Sequence, residues 1–565
     1  MKDIQANTII GNIKNTLHQA IIGAFEQARA NEQLQFETIA DFLVEVPREE
    51  THGDFSTNAA MMMAKACKKS PRVIAEILSA AIDATTAGVD TIEIAGPGFI
   101  NFRMHADWLN NCLAQIITEG EDFGRSDVGK GHKIQVEFVS ANPTGELHMG
   151  NARGAAIGDS LASLLDLAGF TVEREFYIND AGNQIEKFAL SLEARYLQLL
   201  DKDIEFPEDG YHGNDIITVM KQFIAQNGDK YLDCKPEIRR PVFAEYALVK
   251  KLADIKQALS DFGVKYDVWF SERTLHESGA VTNIVKQLQN EDWVYSEDGA
   301  LWLDCRRFGE EKGEVLVRAN GIPTYFAADI AYHQNKFQRG FETVIDIWGA
   351  DHHGHVARMK GAMEAIGYQS RQLEVLLMQF VRLYQNGEIL KMSKRTGTYV
   401  TLKELVEDVG RDAARFFFVT RSADSLIDFD LDLAKSQTAD NPVFYVQYAH
   451  ARICSILAAA AIAGLSPQSD TAHLAMITED AELSLIRKLA DYPDEIIFAA
   501  VNREPQRIAI YLQEVAAAFH NFYAHCRVIS DEHDLSEARL SLAQSTAQVI
   551  RSGLKAIGVS APEKM

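Results

Sequence analysis

The stretch IQVEFVSANPTGELHMGN, residues Ile134–Asn151, decides how this chain folds. It opens as a β-rich run, Ile134–Ser140, and turns through a loop carrying Pro143, Gly145 and Gly150. It then enters a stripe of Ile157, Leu161, Leu164, Leu165 and Ala168 at helical spacing. Gly169 ends that helix, and TVEREFYI, Thr171–Ile178, reads as the next strand. Strand, loop, helix and strand in this order build a parallel sheet with right-handed crossovers. Such sheets bind ligands beyond the carboxyl ends of their strands. There the glycines admit a phosphorylated ligand close to the backbone, the free N–H groups at the helix start face its oxygens, and His148 adds a hydrogen bond.

A second unit of the same kind runs from TVIDIWGA, Thr343–Ala350, through DHHGH into a helix with Val356, Met359, Met363 and Ile366. It continues to a strand over EVLLMQFVRL. The fold class is therefore α/β, a doubly wound parallel sheet of Rossmann type, expected over residues 128–430. A charge-rich stretch near 200–262 reads as an insertion. Before this core, residues 1–127 read as a small α+β module in which apolar alternation flanks the turn Gly96-Pro97-Gly98, and GRSDVGKGHK, Gly124–Lys133, reads as a linker. After it, Thr401 and Glu404 form a capping box, and Ala- and Leu-rich helical patterns predict an all-α bundle over 431–565.

A chain of 565 residues exceeds one hydrophobic core, which agrees with three modules. The start has no charged segment followed by an apolar block, and no window reaches the roughly 18 uninterrupted apolar residues of a membrane helix. The six cysteines lack paired CxxC spacing, which argues against a cysteine zinc site or a disulfide framework. A formal charge of −24 disfavours indiscriminate nucleic-acid binding and leaves room only for local, selective contacts.

Two further runs bear on chemistry. GRSDVGK, Gly124–Lys130, matches the glycine and lysine spacing of a P-loop, but Gly131 stands where Ser or Thr should hold magnesium and the run precedes a strand, so it reads as a linker. Lys391-Met392-Ser393-Lys394-Arg395 gathers cations after the turn Asn386-Gly387. A solvated basic loop would explain it, as would a pair of lysines, Lys391 and Lys394, clamping a leaving pyrophosphate.

Taken in order, the HMGN loop and the KMSKR loop resemble the HIGH and KMSKS signatures of class I aminoacyl-tRNA synthetases. VEFVSANPTGELHMGNARGA, FYINDAGNQ (Phe176–Gln184), HGDFSTNAAM (His52–Met61), KMSKRTG and the ending SAPEKM are similar to bacterial-type arginyl-tRNA synthetases, and the resemblance spans essentially the whole chain. It implies activation of L-arginine by ATP with Mg2+, then transfer of arginine to the terminal ribose of tRNA(Arg), in general with tRNA already bound. It implies a tRNA-elbow contact by the first module and an anticodon contact by the last. A monomer in the cytoplasm, without a membrane segment or a structural metal, completes the expectation.

The resemblance also implies residue roles. His148, Asn151, Lys391 and Lys394 carry catalysis, and Gly145, Gly150, Met392 and Ser393 join His148 and Asn151 around ATP. Asn151 departs from the family, which usually has histidine there; an amide still donates a hydrogen bond but carries no proton charge. Glu272 in WFSER and Asp329 in PTYFAAD meet the guanidinium, whose planar fork asks for paired carboxylates, and Tyr325 stacks on it. Glu137 and Asn142 hold the α-amino and carboxylate ends, and Asp351 of DHHGH lines the cleft, a reading preferred to a zinc site because adjacent histidines seldom reach one metal. Tyr445, Ala449, Arg452 and Met565 lie near the anticodon, although aromatic residues at helical spacing also serve as core. A small-molecule adenylyltransferase, a noncatalytic RNA-binding relative and, more distantly, a zinc hydrolase built on DHHGH are the alternative readings. The large helical end module argues against the first and the intact His148, Lys391 and Lys394 against the second.

Overall fold

The computed structural model describes residues 8–47, 49–105, 107–390 and 400–565. Its centre is a parallel sheet of β1 (Lys133–Glu137), β2 (Thr171–Ile178), β3 (Val268–Ser271), β4 (Thr343–Gly349) and β5 (Leu373–Met378), in the spatial order β5-β4-β1-β2-β3. The chain winds outward from β1 on one side and returns to the other side at β4. The crevice between the carboxyl ends of β1 and β4 is thus the switch point where such sheets hold ligands.

Helix α1 (Met149–Leu167) follows β1 and is buried nearly all round, as its run of small and apolar residues predicts. Gly158 is required by that packing, because a Cβ there would lie 2.2 Å from the Phe138 ring. Arg153, one turn into α1, is fully buried and donates to the carbonyls of Gln379, Ser422 and Ser425, each at 2.8 Å. It thereby anchors the segment beyond β5. The apolar run EVLLMQFVRL is not one strand: β5 stops at Met378, and Val381–Gln385 pairs instead with Ile427–Asp430 and Glu388–Ile389 in a separate sheet. Continuous hydrophobicity hid the break between them.

The insertion is more structured than its polarity suggests. Asn214–Asn227 and Pro236–Asp261 are helices that pack with Asn183–Leu199 around Phe188, Tyr196, Phe223 and Phe243. A small antiparallel sheet, Val294–Glu297, Ala300–Leu303 and Glu314–Val317, was not foreseen, since its strands are too short to show a period. The segment 124–133 is likewise no free linker: Ser126, Gly129 and Gly131 donate backbone hydrogen bonds to Leu167, Ala168 and Gly169.

The amino-terminal module has helices Ile9–Ala30, Ala59–Cys67 and Pro71–Ala81 beside a sheet ending in the hairpin Val89–Ala95 and Phe99–Met104. The carboxyl-terminal helices, from Pro442–Ile462 to His533–Ala556, pack as a bundle. Thr8 Oγ1 donates to Asp494 Oδ1 at 2.7 Å, and Arg487 pairs with Asp54 at 2.8 Å, joining the two modules. Buried Arg415 ties the catalytic core to the carboxyl-terminal bundle through Asp159 (2.6 Å) and the carbonyls of Phe262 and Ile557. Its guanidinium occupies the space that a side chain at Gly558 would need.

Candidate active site

Immediately after β1 the backbone turns sharply. Val139 and Ser140 have φ of 70° and 40°, and Ser140 N donates to Phe138 O at 3.0 Å, closing a three-residue turn. A β-branched residue at positive φ is strained, and such strain persists only where the surroundings enforce it. Here they do: Ser140 Oγ donates to Glu137 Oε1 at 2.7 Å and accepts from Tyr177 N at 3.1 Å, joining β1 to β2. The turn leaves Asn142 exposed at the crevice.

His148 is the N-cap of α1. Its Nδ1 accepts from Gly150 N at 3.1 Å, and Asn151 Oδ1 accepts from His148 N at 3.0 Å, completing a capping box. Asn151 is thus an acceptor toward the backbone of His148, a role the sequence reading did not give it. Gly145 borders open space. The first signature also pairs with the chain that follows the second: Met149 N donates to Val400 O at 3.3 Å and Leu402 N to Leu147 O at 2.8 Å. Lys391, Met392, Ser393, Lys394 and Arg395 themselves lie outside the described residues.

Across the crevice an acidic pocket forms from three elements. Glu272 follows β3 and is 2% exposed, Tyr177 lies in β2, and Asp329 projects from the first turns of α2 (Tyr325–Gln338). His276 Nε2 lies 3.3 Å from Glu272 Oε1, and the amide nitrogen of Asn179, correctly oriented, donates to Glu272 Oε2 at 3.1 Å. Burial pushes the Glu272 carboxyl above its ordinary range, against the hydrogen bonds of His276 and Tyr177, which pull it down. Burial likewise pushes the Tyr177 phenol up, helped by the charges of Glu272 and Asp329. A buried carboxyl and a half-exposed one around a neutral phenol make a site that gains by accepting a cation. Tyr325, 40% exposed, lies against Gly182 at the same mouth.

Two expected residues already have side-chain partners. Both oxygens of Glu137 are engaged, one by Ser140 and the other by Lys336 Nζ at 2.5 Å. Asp351 is largely exposed and faces His352 at 3.7 Å, while His355 turns away to Asp329 at 3.4 Å, so the DHHGH side chains diverge. Tyr177, His276, Lys336 and His333 escaped the sequence reading. The signal for the last two was present: Asp329, His333 and Lys336 fall on one face of the helix.

In the helical bundle, Tyr445, Tyr448, Arg452, His520 and Tyr523 line a cavity of about 420 Å3. The Arg452 guanidinium sits 4.8 Å from the Tyr448 ring and 4.9 Å from that of Tyr523, and its Nη2 donates to Tyr448 Oη at 2.8 Å. Burial, then the charge of Arg452, lowers the pKa of His520, leaving a neutral ring beside Tyr445. Met565 lines an adjoining groove with Arg411, Lys435 and Gln447. Ala449 is fully buried and so offers no contact surface, a correction to its expected place beside RNA.

Comparison with known proteins agrees with this layout. Residues 8–104 match the model of the arginyl tRNA synthetase N terminal domain, 112–453 that of the tRNA synthetases class I (R) catalytic domain, and 446–565 that of the DALR anticodon binding domain. The arginine–tRNA ligase of Moorella thermoacetica is 55% identical over 558 residues, covering 99% of this chain and 100% of that one. Its counterpart from Heliobacterium modesticaldum is 56% identical, covering 98% and 99%. The solved arginyl-tRNA synthetase of Thermus thermophilus superposes with a TM-score of 0.74 at 23% identity, over 98% of this chain and 100% of that one, a likeness of fold. Among the described residues no helix is long and apolar enough to cross a membrane.

Proposed function

The chain belongs to the arginyl-tRNA synthetase family and is an arginine–tRNA ligase that uses ATP, and we propose that its arginine lies across the crevice with the guanidinium in the acidic pocket and the α-amino end toward β1. The observation that carries this reading is the convergence of Glu272, Tyr177 and Asp329 from three elements on one spot. A guanidinium there finds a carboxylate on either side, and Tyr325 at the mouth supplies a flat face. Glu137 and Asn142, at the end of β1 and just beyond, take the α-ammonium and carboxylate.

The substrate carboxylate then attacks the α-phosphorus of ATP, bound with Mg2+, and pyrophosphate leaves. The amino end of α1, ordered by the His148–Asn151 capping box, stabilises charge growing on the phosphate oxygens. Gly145 and Gly150 keep the approach open. Lys391 and Lys394, with Met392 and Ser393, take the leaving group; the pairing of Leu147–Met149 with Val400–Leu402 supports this by holding the end of that loop beside α1. The terminal ribose of tRNA(Arg) finally takes the arginyl group from the adenylate.

For the rest of the molecule the proposal assigns residues 1–127 to the tRNA elbow, 128–430 to catalysis and 431–565 to the anticodon, with Tyr445 and Arg452 in the aromatic cavity and Met565 at its border. The protein works as a cytoplasmic monomer. Asp351 stays at the cleft edge.

Asp329→Asn tests the pocket. In ATP–pyrophosphate exchange with tRNA present, the KM for arginine rises by about tenfold or more, because a guanidinium donor pair loses its ionic partner, while the KM for ATP holds. An unchanged arginine KM removes Asp329 from the site.

A further inference from the structure

Behind Glu137 lies a set of buried charges, Lys336, Asp346 and His333, to which the reaction as proposed gives no part. Lys336, fully buried on α2, reaches Glu137 Oε2 at 2.5 Å and Asp346 Oδ1 at 2.8 Å. His333, one turn earlier, places Nε2 2.6 Å from Asp346 Oδ2 and Nδ1 2.7 Å from the carbonyl oxygen of Asp329. A carbonyl and an ionised carboxylate can only accept, so both ring nitrogens donate and His333 is an imidazolium. Two cations thus face two carboxylates, and the set is neutral as a whole.

We infer that Lys336 and His333, joined through Asp346, are positioning residues that hold the two ends of the arginine pocket in register, the Glu137 carboxylate at one end and the turn of α2 bearing Asp329 at the other. The inference rests on the proposed roles of Glu137 and Asp329. Ser140 holds one oxygen of Glu137 and Lys336 the other, so the carboxylate has a single orientation. Asp346 sits in β4, next to β1, and links the lysine to a histidine bonded to the backbone of Asp329 itself. A shift at either end must therefore pass through the same salt-bridged centre.

The electrostatics agree with this geometry. Burial pushes the Glu137 carboxyl toward its neutral form, and the Lys336 ammonium is the chief influence opposing it. Burial also works against Asp346, but Lys336 and His333 outweigh it and hold that carboxyl at about 2. The lysine is thus the group that favours the charged form of Glu137, the form that attracts an α-ammonium. A scaffold needing only stability is served as well by apolar residues of similar volume, since buried ion sets bring little net stabilisation. This one bonds to the Glu137 carboxylate and to the backbone of Asp329, which gives it a reason to be ionic.

The test is pyrophosphate exchange with tRNA(Arg) present, measuring kcat and the separate KM values for arginine and ATP. It compares Glu137→Gln, Lys336→Met and the two together. Lys336→Met raises the arginine KM by about tenfold or more, as loss of a charge-assisted contact does, and leaves the ATP KM within about twofold. Because the lysine acts through Glu137, the double variant is no worse than Glu137→Gln alone. Should Lys336→Met fail to fold, Lys336→Met with Asp346→Asn removes one charge of each sign, leaves His333 an amide acceptor, and shows the same rise. A normal arginine KM in a folded lysine variant, beside an impaired Glu137→Gln, overturns the positioning role. A silent Glu137→Gln overturns the reading of the pocket on which it rests.

Discussion

The side-chain oxygen of Asn151 accepts the backbone N–H of His148 at 3.0 Å, while the ring of His148 accepts from Gly150. Each residue thus satisfies one of the orphan donors at the start of α1 and fixes the other's geometry. Asn151→Ala removes this acceptor from the His148 amide and costs about 1 kcal/mol of stability, as cap removals do. It also lowers kcat for exchange, since the imidazole loses its fixed platform. Asn151→Asp separates the two effects. The carboxylate keeps the cap and the stability, yet sets a negative charge beside the phosphates, so kcat falls further than in the alanine variant. An aspartate variant as fast as the parent would place position 151 away from the nucleotide.

Arg153 presents a different case, a buried cation held by three carbonyl oxygens. Burial lowers its pKa to about 10, which still leaves it charged at neutral pH. Arg153→Met strips donors from Gln379, Ser422 and Ser425 at once. The expected loss is about 3 kcal/mol or more, read as a fall in the urea midpoint, because each buried acceptor left unpaired carries its own desolvation cost.

How much of this was legible beforehand differs between sheet and site. The parallel core was readable because β1 and β2 are buried strands flanking a long apolar helix, where period and turn residues agree. The pocket carboxylates Glu272 and Asp329 were reached only through family resemblance, since in sequence they are acidic residues like many others. Lys336 and His333 were marked by their spacing from Asp329, a polar stripe on a buried helix. Tyr177 falls within the family-like FYINDAGNQ, but nothing there gave it a role: an aromatic residue in a strand reads as core, and only the fold brings it to Glu272. The capping part of Asn151 was out of reach for a related reason, because a capping box involves a backbone N–H, which no side-chain motif displays.

Asp491, just before helix Tyr492–Asn502, offers a pH signature. Burial raises its pKa from 3.8 to about 6, against Lys488 at 3.3 Å. In the unfolded chain the group ionises near its ordinary value, so between the two the folded protein binds the extra proton. The contribution to stability is therefore complete below pH 3.8 and is lost as pH rises through about 6. Asp491→Asn, which mimics the protonated form, should be more stable than the parent at pH 8 by about 3 kcal/mol before allowance for solvent screening. The advantage shrinks toward pH 5. Lys488 keeps Glu514 at 3.0 Å as a partner, so the substitution leaves no unpaired cation. Equal urea midpoints at both pH values would mean that Asp491 ionises normally in the fold.

The aromatic cavity of the bundle can be tested apart from the active site. Arg452 lies between the rings of Tyr448 and Tyr523, and the neighbouring His520 is neutral, so the cavity presents aromatic faces with one fixed positive charge at its wall. Unstacked bases suit such a surface, because each base adds stacking and the guanidinium can pair with a phosphate or a base edge. Arg452→Ala raises the KM for tRNA(Arg) in aminoacylation by about tenfold, the equivalent of about 1.4 kcal/mol, and steepens no further with salt. The KM for arginine, measured at saturating tRNA, stays at its parent value because the cavity and the crevice share no side chain. Tyr445→Phe keeps the ring and changes little, whereas Tyr445→Ala follows the arginine variant. If instead Arg452→Ala lowered stability and left the tRNA KM unchanged, the stack of Tyr448, Arg452 and Tyr523 would be packing within the bundle, and the anticodon would have to be met elsewhere.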